Sequence, residues 1–347
     1  MKIVSPSVEV LRTGLEKDFA MTPEQFIEKV GRTCYKSEDK ITAESAPKFV
    51  HGLLLRGHEA MIEHWALIFR VKNNAHYESI MNYWAQARCC DDEYCVSDDA
   101  FLPKIRFTDG YDNDRYIVSG NVRAWRDFVR GVKRSNANIP GFLFEVMDTA
   151  PVFFDDLRPA DTRPEGRTPW LTPITVRDLE GDLEHLVHHD VTMKFVCDRG
   201  VSHELVRHRV ASFAQESTRY CNYSSGKHGS EITVVRPSWC VENSSNWFAW
   251  KRACKRSETA YMSLIMSGAA PQEARAVLPN SLKTEVIVTG SMGHWIHFFG
   301  LRCGPEAQPD MREVACMARD ILQDALTDDM FESYCKVCGV NTTACET

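Results

Sequence analysis

The sequence contains no unbroken apolar run of about 20 residues, the length that a bilayer-spanning helix requires. It also lacks a basic excess: Lys and Arg total 41 against 48 Asp and Glu, for a formal net charge of −7. That balance argues against nonspecific nucleic-acid binding, which draws on a basic surface. It leaves room for a small anionic ligand, because a few guanidinium forks hold phosphate whatever the overall charge. The opening Met1-Lys2-Ile3-Val4-Ser5-Pro6 has neither the basic nor the apolar region of a secretory signal. Thirteen cysteines, an odd count without such a signal, then read as reduced thiols of a cytoplasmic protein and not as a disulfide framework. Nor do they form a metal set. Cys335-Lys336-Val337-Cys338 has no second pair at zinc spacing, and Cys89, Cys90 and Cys95 sit among acidic residues without an adjacent histidine. We therefore expect no metal, no membrane and no nucleic acid among the partners.

What is present is ordinary in bulk, with 44% hydrophobic and 26% charged residues and ample chain for a buried core. The periodicity predicts helices around residues 23–30 and 45–56, the latter with Phe49, Val50, Leu53 and Leu54 on one face, and a strand over 65–71. Residues 72–189 form a polar, aromatic-rich middle. It holds a helix at 76–88, a strand running into a helix over 116–132, and a loop rich in Pro, Asp, Arg and Thr at 158–173. Its aromatics Trp84, Trp125, Phe142, Phe144, Phe153 and Phe154 read as a local core. A strand pattern returns at 191–196 and continues as a helix through Arg209. The last third alternates helices at 247–267, 271–277 and 311–326 with a strand at 284–289.

One pattern occurs twice. Tyr116-Ile117-Val118-Ser119-Gly120-Asn121-Val122-Arg123-Ala124-Trp125-Arg126-Asp127-Phe128 resembles Val286-Ile287-Val288-Thr289-Gly290-Ser291-Met292-Gly293-His294-Trp295-Ile296-His297-Phe298. Each reads as a strand, a glycine turn with a small polar helix cap, and a helix carrying Trp and Phe three apart. Strand-turn-helix units share such looks in general; the alternative is that the middle segment partly duplicates the core.

The densest polar stretch is Arg207-His208-Arg209-Val210-Ala211-Ser212-Phe213-Ala214-Gln215-Glu216-Ser217-Thr218-Arg219-Tyr220. Arg207 and Arg209, two apart on the predicted helix, point to opposite sides and can serve two different anions. Guanidinium forks suit phosphate, and hydroxyls and backbone N–H groups complete such a site. By charge alone the stretch is equally a solvated basic face.

The order of residue types narrows this. Arg207-His208-Arg209 followed by Ser217 and then Arg219-Tyr220 resembles the signature of the flavin-dependent thymidylate synthases (ThyX). Arg56-Gly57-His58-Glu59-Ala60-Met61-Ile62-Glu63-His64 is similar to that family's N-terminal GHE…EH element. Pro271-Gln272-Glu273-Ala274-Arg275-Ala276-Val277-Leu278-Pro279-Asn280 and the strand-helix ending at Leu301-Arg302 bring the matching elements to four, in family order. The resemblance implies an α+β fold, a twisted, largely antiparallel sheet flanked by helices. It would run over 1–347 as a single catalytic domain, with 72–189 as an inserted segment. It implies FAD-dependent reductive methylation of dUMP to dTMP, with methylenetetrahydrofolate as one-carbon donor, NADPH as reductant, and assembly as a homotetramer.

The family's roles fall on residues of this chain one at a time. Arg302 is the implied catalytic residue, favouring ionisation of the uracil N3. Glu204, Arg207, Gln215, Glu216, Ser217, Thr218, Arg219 and Arg275 occupy dUMP-binding positions, Arg275 for the phosphate. His58, Arg207, His208, Arg209, Gln215, Ser291 and His297 occupy FAD-binding positions. The family activates the pyrimidine without an enzyme cysteine, and no cysteine falls within the signature here. The chain departs from the pattern at Ser291-Met292-Gly293, where the family shows Asn-x-Arg. The upstream copy keeps Asn121-Val122-Arg123, a candidate for compensating. Gln215 replaces a common glutamate with Glu216 directly after it, and Ala60 replaces a frequent hydroxyl residue. The change at Ser291 and Gly293 leaves as a rival a catalytically altered or inactive flavin- and nucleotide-binding relative, and a pyrimidine nucleotide hydroxymethylase is a second rival that keeps the enzyme.

Overall fold

A computed structural model describes residues 1–16, 19–88, 105–110, 115–134, 138–159, 168–225 and 229–340; Cys89, Cys90, Cys95 and Cys345 lie outside the described residues. In order the chain forms β1 (Lys2–Val4), β2 (Ser7–Arg12), α1 (Pro23–Tyr35), α2 (Ser45–Leu55), β3 (Ala66–Val71), α3 (Asn74–Arg88), β4 (Arg106–Gly110), β5 (Arg115–Asn121) and α4 (Val122–Arg134). Next come α5 (Gly141–Thr149), β6 (Leu171–Ile174), α6 (Gly181–His188), β7 (Asp190–Asp198), α7 (Arg199–Leu205), β8 (Ser212–Gln215) and β9 (Thr233–Val235). Then follow α8 (Ser245–Met266), α9 (Pro271–Ala274), β10 (Lys283–Ser291), α10 (Met292–Arg302), α11 (Pro309–Ala325) and α12 (Asp328–Cys338). Among the described residues no helix is long and apolar enough to cross a membrane.

The chain divides into two compact units. The first comprises Met1–Thr13, Val30–Asp39 and Val191–Thr347; the second comprises Gly14–Lys29 and Lys40–Asp190. The fold is α+β as expected from the sequence, with one four-stranded sheet in each unit and a two-stranded ribbon in the first.

In the first unit the strand order is β2-β7-β10-β8. β2 runs antiparallel to β7, with Val10 opposite Met193, and β10 runs antiparallel to β8, with Val286 opposite Gln215 and Thr289 opposite Ser212. β1 and β9 form a separate parallel ribbon. β10 is buried from Thr284 to Gly290, which explains its near-continuous run of β-branched residues. The helix that follows it packs back through Trp295, which stacks on Phe195 and donates its indole N–H to Val191 O at 3.1 Å.

In the second unit the order is β4-β5-β3-β6, and each recorded pairing is antiparallel. The expected loop at 158–173 gives way at its end to β6, where Leu171 pairs with Val71 and Pro173 with Phe69. An edge strand tolerates that proline because one side of its backbone has no ladder to complete. The aromatic core expected here is present: Trp125, Phe128, Phe142 and Phe153 are fully or almost fully buried in one cluster. The C-terminal end of α6 is pinned by His188, which is buried between the Thr108 hydroxyl (2.9 Å) and the Ser119 hydroxyl (2.7 Å). Burial first, and then the charge of Arg106, push this imidazole down to about 3, so it is neutral.

The GHE…EH element also belongs to this unit. Glu59 opens a 3-10 turn (Glu59–His64) and accepts hydrogen bonds from Arg126 at 3.2 Å and Arg130 at 2.5 Å. Arg126, 1% exposed, also forks onto Asp156 at 2.7 and 2.8 Å. This cross-link ties the turn to α4.

The repeated pattern is visible in both units, with one correction. Gly120 and Gly290 are strand residues, not turn residues. A Cβ at Gly120 would lie 2.6 Å from Ile105 Cδ1, and one at Gly290 would lie 2.5 Å from the His294 ring. Close packing, not an unusual dihedral, calls for glycine. Elements also correspond: β3-α3-β4-β5-α4 in the second unit and β7-α7-β8-β10-α10 in the first. In each, the strand entering the last helix lies between the opening strand and a second antiparallel partner, β4 in one unit and β8 in the other, although β9, α8 and α9 separate β8 from β10 in sequence.

Candidate functional site

The site builds on the first unit, where α7 hands over to β8. Asp198 caps α7 by accepting from Val201 N at 2.7 Å, and the helix ends at Leu205. The predicted continuation to Arg209 is therefore wrong. Val206 and Val210, at 39% and 70% exposed, have no core to face, so no apolar stripe holds another helical turn. Arg207, His208 and Arg209 lie in the turn between helix and strand, and the argument for two arginines on opposite helix faces does not apply. Arg207 and Arg209 are exposed, and neither guanidinium has a partner among the described residues.

His208 turns inward. Its ring lies edge-on to Phe298 at 4.9 Å and to His294 at 6.2 Å. Its Nε2 accepts from Arg302 Nε at 2.9 Å, which puts the proton of a neutral ring on Nδ1. Burial first, then the positive charge of Arg302 and the proximity of His297, push this imidazole down to about 4. Arg302 Nη1 also meets Glu204 Oε2 at 2.9 Å. Glu204, His208 and Arg302, from the ends of α7 and α10 and the turn between α7 and β8, thus come together.

The residues after β8 form a second group. The Gln215 amide donates to Ser202 Oγ at 2.9 Å and Thr284 Oγ1 at 3.3 Å, joining the strand to α7 and β10. Glu216 N donates to Glu285 O at 2.9 Å, while the buried Glu216 carboxylate accepts from Lys283 Nζ at 3.0 Å. Ser217 N donates to Cys34 O at 2.9 Å, and Ser217 Oγ accepts from Arg219 N at 3.3 Å. Thr218 Oγ1 accepts from Arg275 at 3.4 Å, so the implied phosphate arginine meets the signature turn. The exposed Arg219 guanidinium lies 5.6 Å from the Tyr220 ring centroid.

Ser291 ends β10 and His297 lies on α10. The Ser291 hydroxyl caps the helix, accepting from His294 N at 3.3 Å, and His297 is exposed. His58 is the implied site residue that lies in the second unit, at the start of the Glu59–His64 turn. Asn121 and Arg123 are engaged within that unit as well. Asn121 caps α4 by accepting from Ala124 N at 2.8 Å, and Arg123 pairs with Glu63 at 2.5 Å. Cys34 and Cys221, beside the signature turn, are buried, and burial pushes their thiols up to about 11 and about 12.

Sequence reasoning missed Lys36, Lys283 and Glu285, which surround Glu216. Lys283 and Glu285 are two apart on a strand and therefore share a face. An opposite-charge pair alternating on an otherwise apolar strand was the available signal.

Residues 177–326 match the family model described as "Thymidylate synthase complementing protein". Among curated relatives, the flavin-dependent thymidylate synthase of Geobacter sulfurreducens is 38% identical over 117 residues, 34% of this chain and 49% of that protein. That of Pyrococcus furiosus is 37% identical over 119 residues, 34% of this chain and 48% of that protein. That of Corynebacterium aurimucosum is 30% identical over 163 residues, 42% of this chain and 63% of that protein. Through this segment the chain is similar to the flavin-dependent thymidylate synthases. The alignment to the first two spans about half the length of those relatives. Among solved structures, the UMP/dUMP methylase PolB from Streptomyces cacaoi bound with 5-Br dUMP matches at TM-score 0.36 and 20% identity, over 42% of this chain and 72% of that one. At that score the likeness is too loose to bear on fold or function.

Proposed function

We propose that this protein converts dUMP to dTMP by flavin-dependent reductive methylation. The observation that carries the reading is the convergence of Arg302, His208 and Glu204 in the unit that also holds the Gln215–Arg219 turn against Arg275. A guanidinium fixed by two partners is a pre-organised cation, able to stabilise charge that develops on a uracil ring. His208, neutral and accepting through Nε2, orients Arg302 without competing for a proton. Arg275, near Thr218, is available to a phosphate.

The residues present fit a flavin. Arg207 and Arg209 offer two unpartnered guanidiniums in an exposed turn, a donor set suited to a pyrophosphate. Arg207, His208, Arg209 and Gln215 of the first unit would hold FAD, with Ser291 and His297 of the same unit as further candidates. Ser291 can contribute only alongside its role as helix cap. Bound flavin would supply the reducing equivalents that turn a transferred one-carbon unit into a methyl group. Methylenetetrahydrofolate as donor, NADPH as reductant and a homotetrameric assembly complete the reading. No cysteine takes part in it, in keeping with the raised thiols of Cys34 and Cys221. We also read the inserted segment 72–189, which lies in the second unit, as a partial copy of the core, on the repeated strand-into-helix pattern.

The test is product analysis on purified protein with dUMP, methylenetetrahydrofolate and NADPH, alongside an absorbance spectrum for flavin. dTMP and a yellow protein are expected. Flavin-loaded protein that releases no dTMP overturns the reading, and a hydroxymethylated product replaces it with the hydroxymethylase.

A further inference from the structure

The signature turn is gripped by a short piece of chain that lies outside the family-matched segment. Residues 34–36, at the end of α1, meet it three times. Cys34 O accepts from Ser217 N at 2.9 Å, the Tyr35 and Tyr220 rings lie 5.3 Å apart, and Lys36 Nζ approaches Glu216 Oε2 at 3.9 Å. Lys36 Nζ also lies 2.5 Å from Glu285 Oε1 and 3.8 Å from Glu38 Oε1. Lys283 bridges the same two carboxylates, Glu216 at 3.0 Å and Glu285, while Lys194 meets Glu285 Oε2 at 3.2 Å. Glu216 is 4% exposed, so its charge is tolerated only because these ammonium groups surround it. Burial alone would raise Glu285, yet Lys283 and Lys36 outweigh it and hold the carboxyl at about 2.

The backbone of Lys36 adds an independent observation. Its φ is +47°, in the left-handed region, at the position that follows a helix C-terminus. Glycine is the usual residue there, because any side chain carries a steric cost. A simple helix end gains nothing from lysine in this conformation, whereas the turn at Glu216 gains its ammonium group.

We propose that Lys36, acting with Lys283 through Glu216 and Glu285, is a positioning residue that fixes the turn 216–220 for nucleotide binding. The nucleotide part rests on the function proposed above; the positioning part stands on geometry.

Glycine at this position separates the two roles of Lys36, since Lys36→Gly relieves the backbone while removing the ammonium with the rest of the side chain. Hydrogen exchange on the full, ligand-free chain would be compared for wild type, Lys36→Gly and Lys36→Arg, together with dUMP affinity by calorimetry. In Lys36→Gly, exchange at the amides of Ser217, Tyr220 and Cys221 is expected to rise about ten-fold, with the rest of the protein unchanged. The dUMP dissociation constant is expected to rise about ten-fold, the scale that misplacing a binding group produces. Lys36→Arg, which keeps the charge, should stay near wild type in both measurements. Unchanged exchange at 217–221 in Lys36→Gly overturns the proposal. Faster exchange in a protein whose wild type binds no dUMP removes the functional reading and leaves the positioning role standing.

Discussion

The strand-into-helix pair of the second unit, β5–α4, and that of the first, β10–α10, share a closely packed glycine, a polar cap and a fully buried tryptophan. They differ in what becomes of their charged side chains. On α4, Arg123, Arg126 and Arg130 are all held by carboxylates of the same unit: Glu63, Asp156, Glu59 and Asp127. On α10, the single arginine stands at the last residue and shares Glu204 and His208 with a half-open edge. The indoles diverge too. Trp295 donates to Val191 O, whereas Trp125 Nε1 has no hydrogen bond among the described residues. The same local pattern therefore serves as an internal clasp in one unit and, on the function proposed above, as a mount for a binding edge in the other.

The comparison breaks most sharply at Arg126. Arg126→Met should destabilise the protein by about 3 kcal/mol, the scale for removing one partner of a buried ion pair, measured from the denaturant midpoint. A loss below about 1 kcal/mol would mean that the clasp is ornamental. Arg302→Met should do the reverse. We expect kcat/KM for dTMP formation to fall about 100-fold, while stability changes by less than about 1 kcal/mol because the pair is partly exposed.

The same variant carries a pH signature. Losing the guanidinium should raise His208 part of the way from about 4, because burial, the larger cause, remains, as followed by NMR titration. In the wild type, His188 and His208 both have folded pKa values below 6.5, at about 3 and about 4. Between those values and 6.5 the unfolded chain binds more protons than the folded one. Stability therefore rises with pH through that window and is lost as pH falls through it. A stability curve flat from pH 4 to 6.5 would contradict both assignments.

Trp295→Phe should cost about 1 kcal/mol more than Trp125→Phe, because only the former strands a buried carbonyl. The smallest effects fall at the caps. Asn121→Ala should cost about 1 kcal/mol and Ser291→Ala somewhat less, given its longer hydrogen bond. Flavin content should stay at the wild-type level in Asn121→Ala and Arg123→Ala, since both residues are engaged within their own unit. Lost flavin would move them into the cofactor site.

Much of this was readable beforehand where one strong local signal acted. The Gly-cap-helix repeats gave both strand-helix units, and Leu53 and the 65–71 alternation gave correct elements. The failures have local causes. β6 was hidden by Pro173, whose presence on an edge strand imitates a loop. α7 was extended too far because Val206 and Val210 look like helical apolar positions until their exposure is known. Lys36 and Glu285 were invisible as partners of Glu216 because a contact across some 180 or 70 residues of sequence leaves no periodicity behind it. Within the site, the meeting of Glu204, His208 and Arg302 joined residues that the resemblance had already singled out, but their mutual hydrogen bonds were not predictable from spacing.

Glu59 carries a consequence for genetics. It stands in a motif that resembles a catalytic signature, yet here it receives Arg126 and Arg130 and secures the second unit. Replacing it would lower the amount of folded protein in the cell, and chaperones and proteases would clear the remainder. A growth defect from such an allele would resemble the loss of a catalytic group, and only activity per folded molecule would tell the two apart.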